Sequence, residues 1–304
     1  MALTEGSLSR RLQILAPVIA TFVFLASFGL HYYFMRFGSK AIIEIPTGSD
    51  AQEFLLRLVW AFSSSALATV IVASIVLSLC TLRRNVPPNL TRQFVGTTIL
   101  LAAVVLGLLK LIDLGGGAGQ LLINEGERLL NEGTEFPLPI DAFVETTSLF
   151  SGLATVLILV TAASLICAVL HDRTQEAVRA AYDYWTANLI VTALFLVVGS
   201  LEIRFLYQWM VAVVSADPAV GHALSLGAAI LYTIILITIF LPTSIVLELQ
   251  IRRLGGAPKK RSELKDWRIA NDLGTRFETL GKYALMLAPA IFGAFAELPI
   301  WGLR

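Results

Sequence analysis

Ionisable residues set within apolar sequence are the first candidates for chemistry in this chain. Glu202 and Arg204 stand inside the run Leu189 to Val214, Lys110 and Asp113 near the end of Phe94 to Leu114, and His31 inside Leu12 to Phe37. In hydrocarbon each charged side chain costs ~2.5–3.5 kcal/mol on insertion scales, so residues of this kind serve ion paths, proton relays or ion pairs. Lys110, Asp113 and His31 stand toward one end of their segments and Glu202 and Arg204 nearer the middle of theirs, and the five are expected to share a single polar layer. Lys110 continues a small-residue face made by Gly96, Ala103 and Gly107, and Glu202 continues one made by Asn188, Thr192 and Gly199. Small faces of this spacing let neighbouring helices approach closely. A Lys110–Glu202 ion pair between the two segments is the expectation, and the alternative is that Lys110 and Arg204 reach to the interface on their long stems.

A second constellation is acidic. Between residues 115 and 146, Glu125, Glu127, Glu132, Glu135, Asp141 and Glu145 face one base, Arg128. Repeated around a symmetric oligomer, Glu125, Glu127, Glu132 and Glu135 would surround a pore mouth with negative potential and concentrate cations there. The plain alternative is a solvated cap. Gly115, Gly116 and Gly117 are expected to open this segment as a break, and Pro137 and Pro139 to close it.

Three further features bear on gating and packing. Pro242 lies inside the sixth apolar run; it removes one backbone hydrogen bond and kinks the axis, as a gate hinge or as a fixed bend. Ser65, Thr69 and Ala73 recur every four residues in the second run, and Ser148, Gly152 and Thr155 mark a similar face in the fourth. Arg252, Arg253, Lys259, Lys260 and Arg261 form a basic cluster after the sixth. Such a cluster is attracted to anionic headgroups by about 1 kcal/mol per base, or takes the phosphates of a cytosolic nucleotide or oligonucleotide.

Enzyme signatures are missing. The three histidines, at 31, 171 and 222, show no metal-ligand spacing, and no HExxH, GxSxG, P-loop or GxGxxG pattern occurs. His171 and Asp172 are adjacent and so diverge by ~100° around a helix, too far to act as a pair. The expectation is no enzyme, no cofactor and no metal. Cys80 and Cys167 fall at helix ends on the reducing side and read as packing residues.

The elements that must position these residues are six apolar runs, Leu12 to Phe37, Leu58 to Leu82, Phe94 to Leu114, Leu149 to Leu170, Leu189 to Val214 and Ala223 to Leu249. Each reaches the ~20 residues a helix needs to cross ~30 Å of hydrocarbon. With 56% hydrophobic and 15% charged residues the chain is too apolar for an ordinary soluble domain. Seventeen of the 23 basic residues fall at the termini and in alternate loops on the same side; four lie on the other side, and Lys110 and Arg204 lie within runs. The positive-inside rule then makes both termini cytoplasmic, and a bacterial inner membrane is the expected location. Arg10 and Arg11 precede a first run too long for a cleaved signal, which reads as a retained anchor.

The expected fold is an all-α integral membrane protein, with a six-helix domain over residues 1–249 and a basic cytoplasmic tail over 250–304. Within that tail the stretch 283–301 carries Pro289, Gly293, Glu297 and Pro299, so it reads as re-entrant or interfacial and not as a seventh crossing. The function expected first is a homo-oligomeric, cation-permeable channel gated from the tail. The alternatives are a small secondary transporter using Glu202 and Lys110, and a non-transporting scaffold subunit. In general outline the chain is compatible with the small membrane effectors of bacterial antiphage defence, a likeness that no residue motif carries.

Overall fold

The computed structural model describes residues 21–29, 49–85, 91–132, 140–254, 281 and 284–295. They are almost entirely helical. We label the helices α1 (21–29), α2 (Ser49–Asn85), α3 (Thr91–Asn131), α4 (Ile140–His171), α5 (Gln175–Val214), α6 (Pro218–Leu254) and α7 (Ala288–Phe295). Among the described residues, four helices are long and apolar enough to cross a membrane, within α2, α4, α5 and α6. In α3 the described apolar stretch is Phe94–Val104. Large apolar side chains cover the outside: Ile99, Leu100, Leu149, Val156, Ile190 and Ile245 are each at least 48% exposed. A soluble monomer does not present such a surface to water.

Helix ends are set by local chemistry. Thr174 caps α5 by accepting from the Ala177 N–H at 3.3 Å, and Asp217 caps α6 by accepting from the Ala219 N–H at 2.9 Å. Pro218 at the first position of α6 gives up an N–H that would have had no partner. Ser215 ends α5 in the left-handed region at φ 55°, with the Ala216 N–H reaching back to the Val211 carbonyl at 3.0 Å. This backward bond satisfies a carbonyl that the helix end leaves open.

α5 is the organising helix, packed most extensively along α2 and α6 and also touching α3, α4 and α7. Its buried row falls at 178, 181, 185, 188, 192, 195, 199, 202, 206 and 209, alternating three and four. The buried row of α2 does the same at 57, 60, 64, 67, 71, 74, 78 and 81. Two rows with a mean period of 3.5 stay in register when helices coil gently about each other, so the seam runs the length of both. The pairs Ser64–Glu202 and Thr81–Asn188 show that α2 and α5 run antiparallel.

This seam corrects the expected face of α2. Ser65 is buried and Thr69 half-buried, but Ala73 is exposed. A strict four-residue spacing advances past a full turn at every step and leaves the contact line. In α4 the expected small face also turns away from the described helices, since Ser148 and Gly152 are exposed and Thr155 is half-buried. The Gly96, Ala103 and Gly107 face of α3 is exposed as well.

The expected break at Gly115–Gly117 is absent. α3 continues through the glycines for 41 residues, so Glu125 and Glu127 lie on a helix. Helix interiors disfavour glycine by about 1 kcal/mol each relative to alanine, and the helix absorbs that cost here; close packing is seen further along, at Gly119. A Cβ on Gly119 would lie 2.5 Å from the Tyr207 hydroxyl, so only glycine leaves room for that ring. The extension joins a second core at this end, where Leu122 and Ile123 pack with Trp60, Leu206, Trp209 and Met210.

Pro242 does not interrupt α6, which remains helical on both sides, and its ring faces outward. The described part of α7 is eight residues, ~12 Å of helix; the rest of the stretch 283–301 expected to be re-entrant or interfacial lies largely outside the described residues. The Ala290 N–H donates to Thr233 Oγ1 at 2.9 Å, so a side chain from the middle of α6 caps the start of α7.

Candidate functional site

The seam is polar where α2 begins and α5 approaches its end. Glu202 is 7% exposed, and among the described residues its hydrogen bonds come from α2. Trp60 Nε1 donates to Glu202 Oε1 at 2.8 Å, and Ser64 Oγ donates to the same oxygen at 3.3 Å. Both donors are neutral. Tyr207 and Tyr232 lie within electrostatic range of the carboxyl. The result is a carboxyl fixed inside the bundle of one chain, lined by aromatic rings and held by two donors from a facing helix.

A second layer sits one helical turn further toward that end. The Trp60 and Trp209 rings are 5.2 Å apart, and the Arg57 guanidinium lies over the Trp209 ring at 5.6 Å from its centroid. Trp209 Nε1 donates to Glu53 Oε1 at 3.3 Å. Arg57 is 6% exposed, so this cation is packed on an indole face. Such an arrangement is favourable by about 2 kcal/mol or more when desolvated.

Arg57, one of the four bases that the sequence places between runs on the less basic side, is thus a buried member of the site, and Trp60, Ser64, Trp209 and Glu53 were missed. The α2 residues share the three- and four-residue row that continues to Thr81, which the packing of α5 reveals.

The expected polar layer is only partly assembled by the described residues. Arg204 is half-buried and follows Glu202 by two positions, which places it on another face of α5. Lys110 and Asp113 belong to helical α3, but their side chains, like His31, lie outside the described residues. The expected Lys110–Glu202 pair therefore lies outside them too.

Among the expected acidic residues, Glu125 and Glu132 are joined through Arg128. Its Nη2 contacts Glu125 Oε1 at 2.5 Å and its Nη1 bonds Glu132 Oε1. The Arg128 bond holds the Glu125 carboxyl below the usual carboxylate range, and the same contact pushes the guanidinium up. Glu127 is half-buried, and Glu135 lies outside the described residues. In the basic cluster, Arg252 pairs with Glu248 at 3.2 Å and Arg253 is exposed; Lys259, Lys260 and Arg261 lie outside the described residues.

The far end of the same seam carries hydroxyls and an amide. Asn188 Nδ2 donates to Thr81 Oγ1 at 3.1 Å and to the Tyr184 carbonyl at 2.8 Å. Thr161 Oγ1 of α4 donates to the Leu157 carbonyl at 2.8 Å and approaches the Ser78 carbonyl at 3.4 Å. Asn188, Thr192, Gly199 and Glu202, grouped by spacing alone, all fall on the buried side of α5.

Fold and site together define a helical protein of the multi-pass membrane class. No family model matches the chain, and no curated protein or solved structure does so either.

Proposed function

We propose that this protein moves protons or small cations across a bacterial inner membrane, with Glu202 as the group that binds and releases them. In this reading six helices cross, both termini are cytoplasmic, and the path lies within the helices of one chain. The observation that carries it is the seating of Glu202. A carboxyl between α2 and α5, bonded by Trp60 and Ser64, faces the interior of its own bundle. Ionisable groups retained inside membranes mark such paths. Trp60 and Ser64 would orient the carboxyl, and Arg57, held on Trp209, would set the charge of the approach from the α2 N-terminal end.

The test is reconstitution in sealed vesicles with an internal pH dye and an imposed proton or K⁺ gradient. Wild-type protein should dissipate the gradient, Glu202→Gln should not, and Glu202→Asp should restore part of the flux. Vesicles holding folded wild-type protein that are as tight as empty ones would overturn the proposal.

A second reading is a channel built from several copies and gated by the tail. It is favoured by the exposed small faces of α3 and α4, where no side chain of the described residues lies within 4 Å of a Cβ placed on Gly96, Gly107 or Gly152. Small residues at uncovered positions suit close helix contact between subunits. Chemical crosslinking in native membranes, with Gly152→Leu as the disrupting variant, separates the two. A protein that is monomeric in the membrane and still conducts excludes the assembled pore.

A further inference from the structure

The α2–α5 seam divides into three levels. At one end are Trp60, Ser64 and Glu202, and at the other Ser74, Ser78, Thr81, Asn188 and Thr192. Between them stand Leu67 and Ile71 of α2 with Phe195 and Leu196 of α5, all at most 5% exposed and all in one core. Leu67 lies across from Gly199, where an added Cβ would meet Leu67 Cδ1 at 3.8 Å. The spacing from Ser64 to Ser74 is ten residues, or ~15 Å of helix rise. This apolar level separates two polar ones.

The lower level contains an imbalance. Ser74 and Ser78 are 2% and 0% exposed, yet neither hydroxyl has a hydrogen-bond partner among the described residues. Serine in a helix readily satisfies its hydroxyl by bonding the carbonyl one turn back, as Ser65 does to Ala61 at 2.7 Å. These two do not, although both lie on the row facing α5. Buried hydroxyls are ordinarily partnered by protein or by ordered water. A buried water is held by two to four polar groups. Thr81, Asn188 and Thr161 supply further polar groups around Ser78.

We propose that the α2–α4–α5 interface around Ser74 and Ser78 is a water-holding chamber, and that Leu67, Ile71 and Phe195 are the seal between it and Glu202. In this proposal water reaches the chamber from the end that carries Thr81 and Asn188. It rests on the translocation reading and deepens it. Ions or protons entering from that end meet hydroxyl oxygens first, and reach the carboxyl only when the apolar level parts.

Cysteine reactivity tests the chamber without relying on flux. In full-length protein in sealed membranes, with Cys80→Ser and Cys167→Ala as background, single variants Ser74→Cys, Ser78→Cys and Leu67→Cys are exposed to Ag⁺ from each side in turn. Protected thiols are counted by maleimide after denaturation. Ser78→Cys should react at least ten-fold faster than Leu67→Cys, and only from the side of the α2 C-terminus, with Ser74→Cys also faster than Leu67→Cys. Ile71→Ala in the same background should raise the Leu67→Cys rate. If Ser74→Cys and Ser78→Cys react no faster than Leu67→Cys, or react only from the opposite side, the chamber is refuted. A flux lost in Glu202→Gln alongside unreactive cysteines would remove the chamber and leave the translocation reading standing. Reactive cysteines with tight wild-type vesicles would do the reverse.

Discussion

Replacing Trp60 by Phe keeps an aromatic ring against Trp209 and removes one N–H, the donor 2.8 Å from Glu202 Oε1. Hydrogen bonds to charged groups contribute about 1.5–3 kcal/mol in soluble proteins. Interhelical side-chain bonds in membrane proteins average only ~0.6 kcal/mol, with a maximum near 1.7, because the unfolded chain in the bilayer finds other partners. The bond here is short, buried at both ends and made to a carboxyl, so the upper part of the membrane range applies, ~1.5 kcal/mol. A double-mutant cycle isolates it: wild type, Trp60→Phe, Glu202→Leu and the double variant, unfolded reversibly from mixed micelles and followed by far-ultraviolet circular dichroism. Glu202→Leu is chosen because Gln would still accept the indole bond. Trp60→Phe should cost about 2 kcal/mol in the wild-type background and about 0.5 with Glu202→Leu, a coupling of ~1.5 kcal/mol. The same cycle with Ser64→Ala, whose bond is 3.3 Å, should give a smaller coupling of ~0.5 kcal/mol. A Trp60–Glu202 coupling below ~0.3 kcal/mol, within the error of additivity, would refute the claim that α2 holds this carboxyl.

Three other outcomes are expected. Gly119→Ala should destabilise by about 1–3 kcal/mol through overpacking against Tyr207, whereas Gly152→Ala, with open space at its Cβ, should be neutral or slightly stabilising; thermal unfolding of both in detergent checks the difference. Thr233→Val removes the acceptor of the Ala290 N–H at nearly constant side-chain volume, so hydrogen exchange at the start of α7 should accelerate by at least ten-fold while α6 keeps its protection. The Asp172 carboxyl is held below its usual range by the Thr174 backbone N–H. A lowered folded value stabilises above the ordinary carboxylate range and is lost as pH falls through that lowered value. Amide exchange at the α5 N-terminus, corrected for intrinsic rate, should therefore loosen as pH falls toward 3 in wild type and be pH-insensitive in Asp172→Ala.

The long helices were legible because membrane thickness imposes a length that apolar runs reveal directly. Run 5, from Leu189 to Val214, and the extra turns of α5 back to Gln175 illustrate both the success and its limit. Hydropathy finds the part in hydrocarbon and stops, while the helix continues for as long as its backbone bonds and packing persist. Gly115–Gly117 misled for a related reason. Glycine raises the cost of a helix without forbidding it, so the chain can run on to Gly119, where the ring it must clear belongs to Tyr207, 88 positions away in sequence. Pro289, read as a breaker, stands in the first turn of α7, where its missing N–H has no helical partner to lose; that Thr233 would cap this turn was not legible.

At the site, Glu202 drew attention from sequence alone because a short acidic side chain in an apolar run has no cheap explanation. Arg57 and Trp60 did not, since a base and an aromatic near the start of an apolar segment are ordinary interfacial residues. Their membership follows from the row they share with Ser64, Ser74 and Thr81, and that row is visible only once α5 shows which side of α2 is covered. The sequence by itself determined helical class and the residues costly to bury, because both depend on the chemistry of single segments. Tertiary structure decided which carboxyl meets which donor, which hydroxyls lack one and which small faces remain uncovered. Those depend on the rotation and register of one helix against another, a relation that no single segment contains.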